Sequence, residues 1–416
     1  MARLANSENG LTPFALRQLY LACVISIADY GSPIWWKSQA QFKRSFQALQ
    51  NLGLRKILGV FKTAPILLME TEAALLPPSV RLNNTTRKYA SRALRLPLEH
   101  PISKALKSRN PLSSDFHSSP ARFKEPRTTQ LNRIKNSISK LVDSSLLEPI
   151  QHFYFPPWKK TPPYSVKISE LPKEEAVLAH TTSLKSFGKN DVLIYSDASV
   201  FPKETTGVGI GLIVLKYNTI NKSFGKTHQE STNIGPSQLV YNGELKGITK
   251  GMEYASSKAK PGQHFHIYSD NKAAIYRLQN PSDKPGQSYQ IRAYKAAKLT
   301  KDQGAKISVE WIPGHTDIPG NKLADLLAKK ATKLPPESLE ISYAVLGSKI
   351  KEARTKEWQE VLTKHDLLPK NPGSYRCKFP WKITSKISLP LGPSRELASS
   401  FFQLKIGYNY LESYLY

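Results

Sequence analysis

Four acids and one histidine stand where side chains do chemistry: Asp197, Glu244, Asp270, Asp325 and His315. Asp197 closes the β-branched run DVLIYSD, and Asp270 closes HFHIYSD. Glu244 lies between them in SQLVYNGELKGITKGMEYASSKA, and Asp325 follows in NKLADLLAKKA. Strand ends on one edge of an α/β sheet converge on a single crevice. A charge held there must be paired or bind a metal. An all-oxygen donor set with room for water suits magnesium, or manganese in its place. Zinc is disfavoured, because no His/Cys cluster with ligand spacing is evident. Two hard ions about 4 Å apart could activate a water and stabilise the departing 3′-oxygen of a phosphodiester during in-line attack. Any one of these acids alone reads as a helix cap or a surface residue; the set, each member on its expected element, points to a site. His315 sits in the Pro/Gly loop IPGHTDIPGN. A loop histidine is ordinarily just exposed, but beside a metal site it is suited to carry protons to the leaving oxygen or to assist product release.

These residues need a scaffold, and the pattern from Asp191 onward supplies one. DVLIYSD, GVGIGLIVLKYN and SFGKTHQEST read as three antiparallel strands, with YNTINKS as a turn. The helix after them carries Tyr241, Leu245, Ile248, Met252 and Ala255 at helical spacing. Strand HFHIYSD, helices NKAAIYRLQ and SYQIRAYKAAKLTKDQ, strand KISVEWI and the last helix complete an α/β domain over 189–333, a mixed five-stranded sheet with helices on both faces.

The flanks differ. Residues 1–96 read as helical. Thr12-Pro13 opens a first helix, and Phe42, Phe46, Leu49 and Leu52 share a face of a second. A third, from about Val80 to Leu96, carries Arg81, Arg87, Lys88, Arg92 and Arg95, readable as a solvated face or as a stripe for phosphates. Residues 97–188 read as a basic Pro/Ser-rich linker, extended at FPPWKKTPPYSV, with one amphipathic helix over 130–144. Residues 334–416 read as a helical extension built on KIKEARTKEWQEVLTKH and ASSFFQLKIGYNYLESYLY.

The chain has 416 residues and a net charge of +28. Lys and Arg outnumber Asp and Glu by 28 to 12 over residues 1–190 and by 20 to 12 over 191–334, so the excess is not confined to one tail. A chain with this imbalance repels itself unless a polyanion screens it, and nucleic acid is the commonest one; an anionic membrane surface is the competing reading. The apolar run LYLACVISIA is too short to span a bilayer, and no signal-peptide pattern opens the sequence. Two distant cysteines, Cys23 and Cys377, make neither a disulfide framework nor a zinc knuckle. The expectation is an intracellular protein, nuclear or cytoplasmic, with no membrane partner.

IYSDAS, YNGELKGI, YSDNKAAI and WIPGHTDIPGNKLADLLAKKA resemble, in order and spacing, the motif blocks of type 1 ribonuclease H. The resemblance implies cleavage of the RNA strand of RNA–DNA hybrids with magnesium, leaving 3′-hydroxyl and 5′-phosphate ends. It carries the motif acids onto Asp197, Glu244, Asp270 and Asp325, the loop histidine onto His315, and hybrid contacts onto Ser199 and Asn271. Three departures stand out. Ala198 replaces the glycine usual after the first acid, where a methyl group could crowd the nucleic-acid backbone. Asp317 stands where glycine is common, and Lys322 where an acid is common. The flanking stretches LRQLYLACVISIADYGSPIWW and LQNLGLRKILGVFKTAPILLMETEAALLPPSVRL look like the region after the reverse transcriptase palm in non-LTR, LINE-like retrotransposon polyproteins. SFFQLKIGYNYLESYL resembles the segment preceding a Cys/His knuckle there. Neither a Tyr/Phe-Ala-Asp-Asp palm motif nor that knuckle occurs in these residues, so the expectation is a fragment of such a polyprotein. Two rival functions follow from the same residues: a catalytically weak or inactive nucleic-acid-binding remnant, and an integrase- or transposase-like nuclease. GHTDIPGNKLAD argues against the latter.

Overall fold

The structure, a computed structural model, describes residues 3–6, 9–97, 99–107, 129–156, 158, 161–200, 207–366, 375–381, 383–389 and 394–407. It divides into two units. One collects residues 1–93, 108–141 and 348–416, and the other residues 94–107 and 142–347.

The second unit is built on six strands: β1 (Ser165–Lys167), β2 (Asp191–Ser199), β3 (Gly209–Asn218), β4 (Ser223–Asn233), β5 (His264–Ser269) and β6 (Lys306–Trp311). Their order is β1-β6-β5-β2-β3-β4. β2, β3 and β4 pair antiparallel, while β2–β5, β5–β6 and β6–β1 pair parallel. The sheet therefore has six strands rather than the five expected. The addition, β1, is three residues of the supposed linker, too short for a period-2 pattern to show. Five helices matter to the site: α1 (Lys173–Lys185), α2 (Val240–Lys258), α3 (Lys272–Gln279), α4 (Gln287–Asp302) and α5 (Pro319–Ala331). α1, like β1, arises from the stretch read as linker.

β2 reads as an unbroken apolar run because both of its faces are covered. Val192 and Ile194 join Leu245, Ile248 and Met252 of α2 and Ala293, Ala296 and Ala297 of α4 in one core. Leu193 and Tyr195 join Tyr268, Ile312, Ile318 and Ala324 in another, with Val177 and Leu184 of α1 and Leu327 of α5 against it. α5 lies unusually close to the sheet. A Cβ on Gly211 would sit 2.0 Å from the Ala324 carbonyl oxygen, and one on Gly209 2.2 Å from that of Ala328. These glycines of GVGIG thus admit the helix that carries Asp325.

The helical unit follows a different logic. Thr12 caps the helix Pro13–Leu19, its hydroxyl accepting from the Ala15 N–H. Phe42, Phe46, Leu49 and Leu52 do share a face of the helix Ala40–Leu58, but Phe42, Leu49 and Leu52 are exposed. The helix buries Leu54, Ile57 and Leu58 instead, with Leu16, Tyr20, Met69 and Phe402. Arg395, at the start of the helix Arg395–Ile406, donates to the carbonyls of Lys56 and Ile57 and so satisfies the end of Ala40–Leu58. Two bases of the expected phosphate stripe are committed within the unit. Arg81 pairs with both oxygens of Asp29 at 2.7 and 3.1 Å, and Arg87 pairs with Glu357. Lys88 and Arg92 remain exposed. The amphipathic helix expected over 130–144 is Gln130–Ser139, with Thr129 as its cap; the end of the C-terminal run, from residue 408, lies outside the described residues.

Glu70 is buried here, and one of its oxygens accepts from the Gln47 and Gln50 amides at 2.9 and 2.8 Å. Burial pushes its carboxyl up to about 7, against the pull of both amides and of Arg81. The folded chain thus binds this proton more tightly than the unfolded chain does. The associated stability is fully present below about pH 4.5 and is lost as pH rises toward 7. Glu70→Gln, a neutral group of the same shape, is expected to remove that loss and to stabilise the unit at pH 8 by roughly 1–3 kcal/mol. Thermal unfolding of the full chain at pH 5 and pH 8 checks this; an equal effect at both pH values contradicts it.

Candidate active site

Asp197 is the seventh residue of β2, and its neighbours on the strand are buried on both sides. Asp270 follows directly on the last residue of the adjacent parallel strand, β5. Glu244 lies in the first turns of α2, which crosses the same end of the sheet. The three carboxylates meet: each offers an oxygen within 4.8 Å of the other two. Glu244 is only 3% exposed, and its two oxygens accept from the Ala198 N–H (3.3 Å) and the Ser269 hydroxyl (3.3 Å).

Bringing three acids together out of water shifts all of them the same way. Burial first, and then the charges of Asp270 and Asp325, push the Asp197 carboxyl up to about 7, although the Ala198 N–H and a hydrogen bond with Glu244 oppose the shift. Glu244 lies well above the ordinary carboxylate range, through burial and then through Asp197 and Asp270. Asp270 is raised by burial, with His315 and Lys173 pulling it back. Such a group of like charges wants a divalent cation. Its donors are carboxylate oxygens, the set that hard ions such as magnesium or manganese take. The residues fit a metal site.

Asp325, on α5, is not within that tight trio. Its charge is felt by Asp197 and Asp270, and its Oδ2 lies 2.6 Å from the Lys329 ammonium one turn on. The pair is more than a third exposed on both sides, a bond worth only a few tenths of a kcal/mol and easily exchanged for an ion. His315 is exposed in a left-handed backbone conformation (φ +57°), and its charge acts on Asp270. The loop is held close, since a Cβ on Gly314 would meet the Asp270 Oδ2 at 2.3 Å. Ser199 is half-buried at the end of β2, two residues beyond Asp197. Asn271 caps α3, its Oδ1 accepting from the Ala274 N–H at 3.0 Å, so at least that atom has a structural duty.

The three departures from the family pattern have local explanations. The Ala198 methyl does not face a groove. It is buried in a cluster with Val208, Ile210 and Ile234, against Gly243 of α2, where an added Cβ would lie 2.8 Å from it. A glycine on the helix houses the methyl on the strand. Asp317 and Lys322 pair with each other at the surface.

Two positioning residues escaped sequence reading. Ser269 orients Glu244, and Trp311 donates its indole N–H to the Asp270 carbonyl (2.9 Å) while its ring stacks under the Lys272 ammonium at 4.0 Å. Ser269 and Trp311 are paired in register on neighbouring strands. The only available signal was their place, one residue before Asp270 and at the end of KISVEW.

A family model described as RNase H matches residues 189–333. Among solved structures, the chain is similar to ribonuclease H1 of Halobacterium salinarum, with 17% identity over 34% of this chain and 96% of that one, at a TM-score of 0.27. It is similar to the PFV RNase H domain, with 17% identity over 35% of this chain and 94% of that one, at 0.28. It is also similar to the protease–reverse transcriptase of prototype foamy virus, with 18% identity over 36% of this chain and 21% of that one, at 0.29. No curated protein matches. Residues 189–333 form an RNase H domain.

The site makes two predictions. Without an ion, Asp197 and Glu244 hold protons more tightly in the folded than in the unfolded chain, so stability falls as pH climbs from about 4 toward 7. A divalent ion offsets the repulsion only once those protons have left. Saturating magnesium is therefore expected to raise Tm more at pH 8 than at pH 5; equal shifts would count against the site. Separately, Gly243→Ala should lower stability by about 1–3 kcal/mol through overpacking against Ala198 and Val208. Adding Ala198→Gly should recover part of that loss, as urea unfolding of the single and double variants would show.

Proposed function

We propose that the RNase H domain hydrolyses the RNA strand of RNA–DNA hybrids as an endonuclease, using two magnesium ions for which manganese substitutes. The observation that carries this reading is the meeting of Asp197, Glu244 and Asp270 at one end of the sheet. These three would hold the ions, with Asp325 joining them in exchange for its Lys329 partner, and the ions would supply an activated water and stabilise charge on the phosphodiester oxygens.

The chain's own residues do the rest. Burial of Glu244 and its two hydrogen bonds fix one carboxylate so that no reorganisation accompanies reaction. Trp311 pins the backbone at Asp270. His315, exposed on the loop that abuts Asp270, hands a proton to the departing 3′-oxygen and helps clear product. Ser199 and Asn271 flank the acids on the side where the hybrid lies. Specificity for hybrid rests on minor-groove shape and on 2′-hydroxyls of the cut strand. Exposed bases of the N-terminal region, among them Lys88 and Arg92, add phosphate contacts that carry no sequence information.

The flanking resemblances support a wider context, in which this chain comes from a LINE-like retrotransposon polyprotein and the domain removes RNA from hybrids made during reverse transcription. Among the described residues no helix is long and apolar enough to cross a membrane. We propose a division into a helical region over 1–96, a linker over 97–188 whose end supplies β1 and α1 to the second unit, the nuclease over 189–333 and an extension over 334–416.

The test is a labelled hybrid incubated with the full chain. Wild type is expected to cut the RNA strand in magnesium and to leave duplex DNA intact. Asp197→Asn and Asp270→Asn should abolish cleavage while keeping the unfolding transition, and His315→Ala should slow it about 10²-fold. Binding of hybrid without cleavage in either magnesium or manganese would establish the inactive remnant instead. Full activity in either Asp→Asn variant would mean that the metal site is elsewhere.

A further inference from the structure

We propose that Asp191, His264 and His266 form a second metal site, of the zinc class, at the end of the sheet opposite the carboxylates. Asp191 opens β2 and His264 opens β5, and the two are direct partners in the parallel ladder. His266 is two residues along β5, hence on the same face. One donor atom from each of the three lies within 4.8 Å of the others. Asp197 is six residues along β2 from Asp191, roughly 20 Å away at strand rise, so the two sites do not share ligands.

The donor set is two imidazoles and one carboxylate, which is a zinc set and not a magnesium set. The reading that the sequence holds no His/Cys cluster is corrected here: His264-X-His266 is a candidate ligand pair on one strand face, and its third member lies 75 residues before His266, on a strand that no local spacing reveals.

The surroundings are built as metal ligands need. The His266 Nε2 faces the Asp191 Oδ1 at 2.9 Å, close to the roughly 3.3 Å separation of donors around a tetrahedral zinc with bonds of about 2.0–2.1 Å. Its other nitrogen, Nδ1, faces the Ser308 hydroxyl (3.2 Å) and the Glu310 carboxylate (3.4 Å). With Nδ1 directed at a carboxylate and Nε2 at Asp191, the ring has the second partner that orients metal-binding histidines. His266 itself is 2% exposed and stacked on Phe187 at 4.2 Å, so the ring cannot swing away. The Asp191 Oδ2 accepts from the Gly188 N–H, which leaves Oδ1 turned to the histidines. The Lys167 ammonium is engaged by Glu310 at 3.0 Å.

His264 is the member that a purely hydrogen-bonded cluster leaves unexplained. Its ring makes no hydrogen bond among the described residues and lies only 3.9 Å from the His266 ring, centroid to centroid. Ring packing accounts for that distance, and a shared cation accounts for a donor nitrogen of each ring lying within 4.8 Å of the other and of an Asp191 oxygen. With three protein ligands, the fourth position goes to water. The ion would staple the first residues of β2 to β5 at the point where the chain enters the domain.

Cobalt(II) is the probe, because four-coordinate cobalt absorbs strongly in the visible while six-coordinate cobalt on carboxylates and water absorbs weakly. The full chain, stripped with a chelator and titrated in excess magnesium, is expected to develop the four-coordinate band at one ion per chain and to lose it on adding zinc. Asp197→Asn should keep the band. His264→Gln, at a half-buried position, should weaken binding 10- to 100-fold, with Asp191→Asn as the second variant. Absence of the band in wild type, or unchanged affinity in folded His264→Gln, overturns the proposal.

Discussion

The feature on which the rest of this domain depends is repulsion among carboxylates that the fold forces out of water together. Two neighbouring parallel strands and the first turns of one helix meet at the same place, and each brings an acid there. Desolvation and like charge raise Asp197, Glu244 and Asp270 in concert, a strain that no arrangement of apolar side chains relieves. The surrounding structure answers in two ways. It supplies partial compensation through the Ala198 amide and the Ser269 hydroxyl, and it leaves the remainder for a divalent ion.

Holding charged groups in strain demands rigid support, and here that support is close packing. α5 reaches the sheet over Gly209 and Gly211, and α2 reaches it over Gly243. In each case the absence of a side chain lets a helix approach near enough to deliver an acid to the sheet's end. The Ala198–Gly243 contact shows the trade in miniature: a methyl gained on the strand is accommodated by one missing on the helix. The helical unit uses the opposite device, in which partly buried polar groups are satisfied by long side chains, as Arg81 does for Asp29 and Arg395 for the end of the helix Ala40–Leu58.

Much of the α/β domain could be read directly. β2 stood out because a strand buried on both faces carries a continuous apolar run, and α2 stood out because its apolar residues keep helical period along one face. Less could be read outside it. β1 is three residues among prolines, and α1 has little periodicity to show, since only Ala176 and His180 are buried along it. The apolar face Phe42–Phe46–Leu49–Leu52 was visible, but which face of that helix turns inward depends on helices far away in sequence. Arg81 and Arg87 looked like a basic stripe because their acidic partners, Asp29 and Glu357, are 52 and 270 residues distant.

Local sequence by itself determined five of the six strands, the helices packed between them and the family of the 189–333 segment, and it singled out four acids as candidates, because each depends on periodicity or on short motifs whose partners lie within a few residues. Tertiary structure alone decided that three acids close into one cluster while Asp325 stays with Lys329. It also decided that Ala198 points into the core, and that Asp191 joins two histidines from another strand. The physical reason is common to all of these: they are set by which side chains meet across strands and helices, and that geometry is a property of the packed chain and not of any window along it.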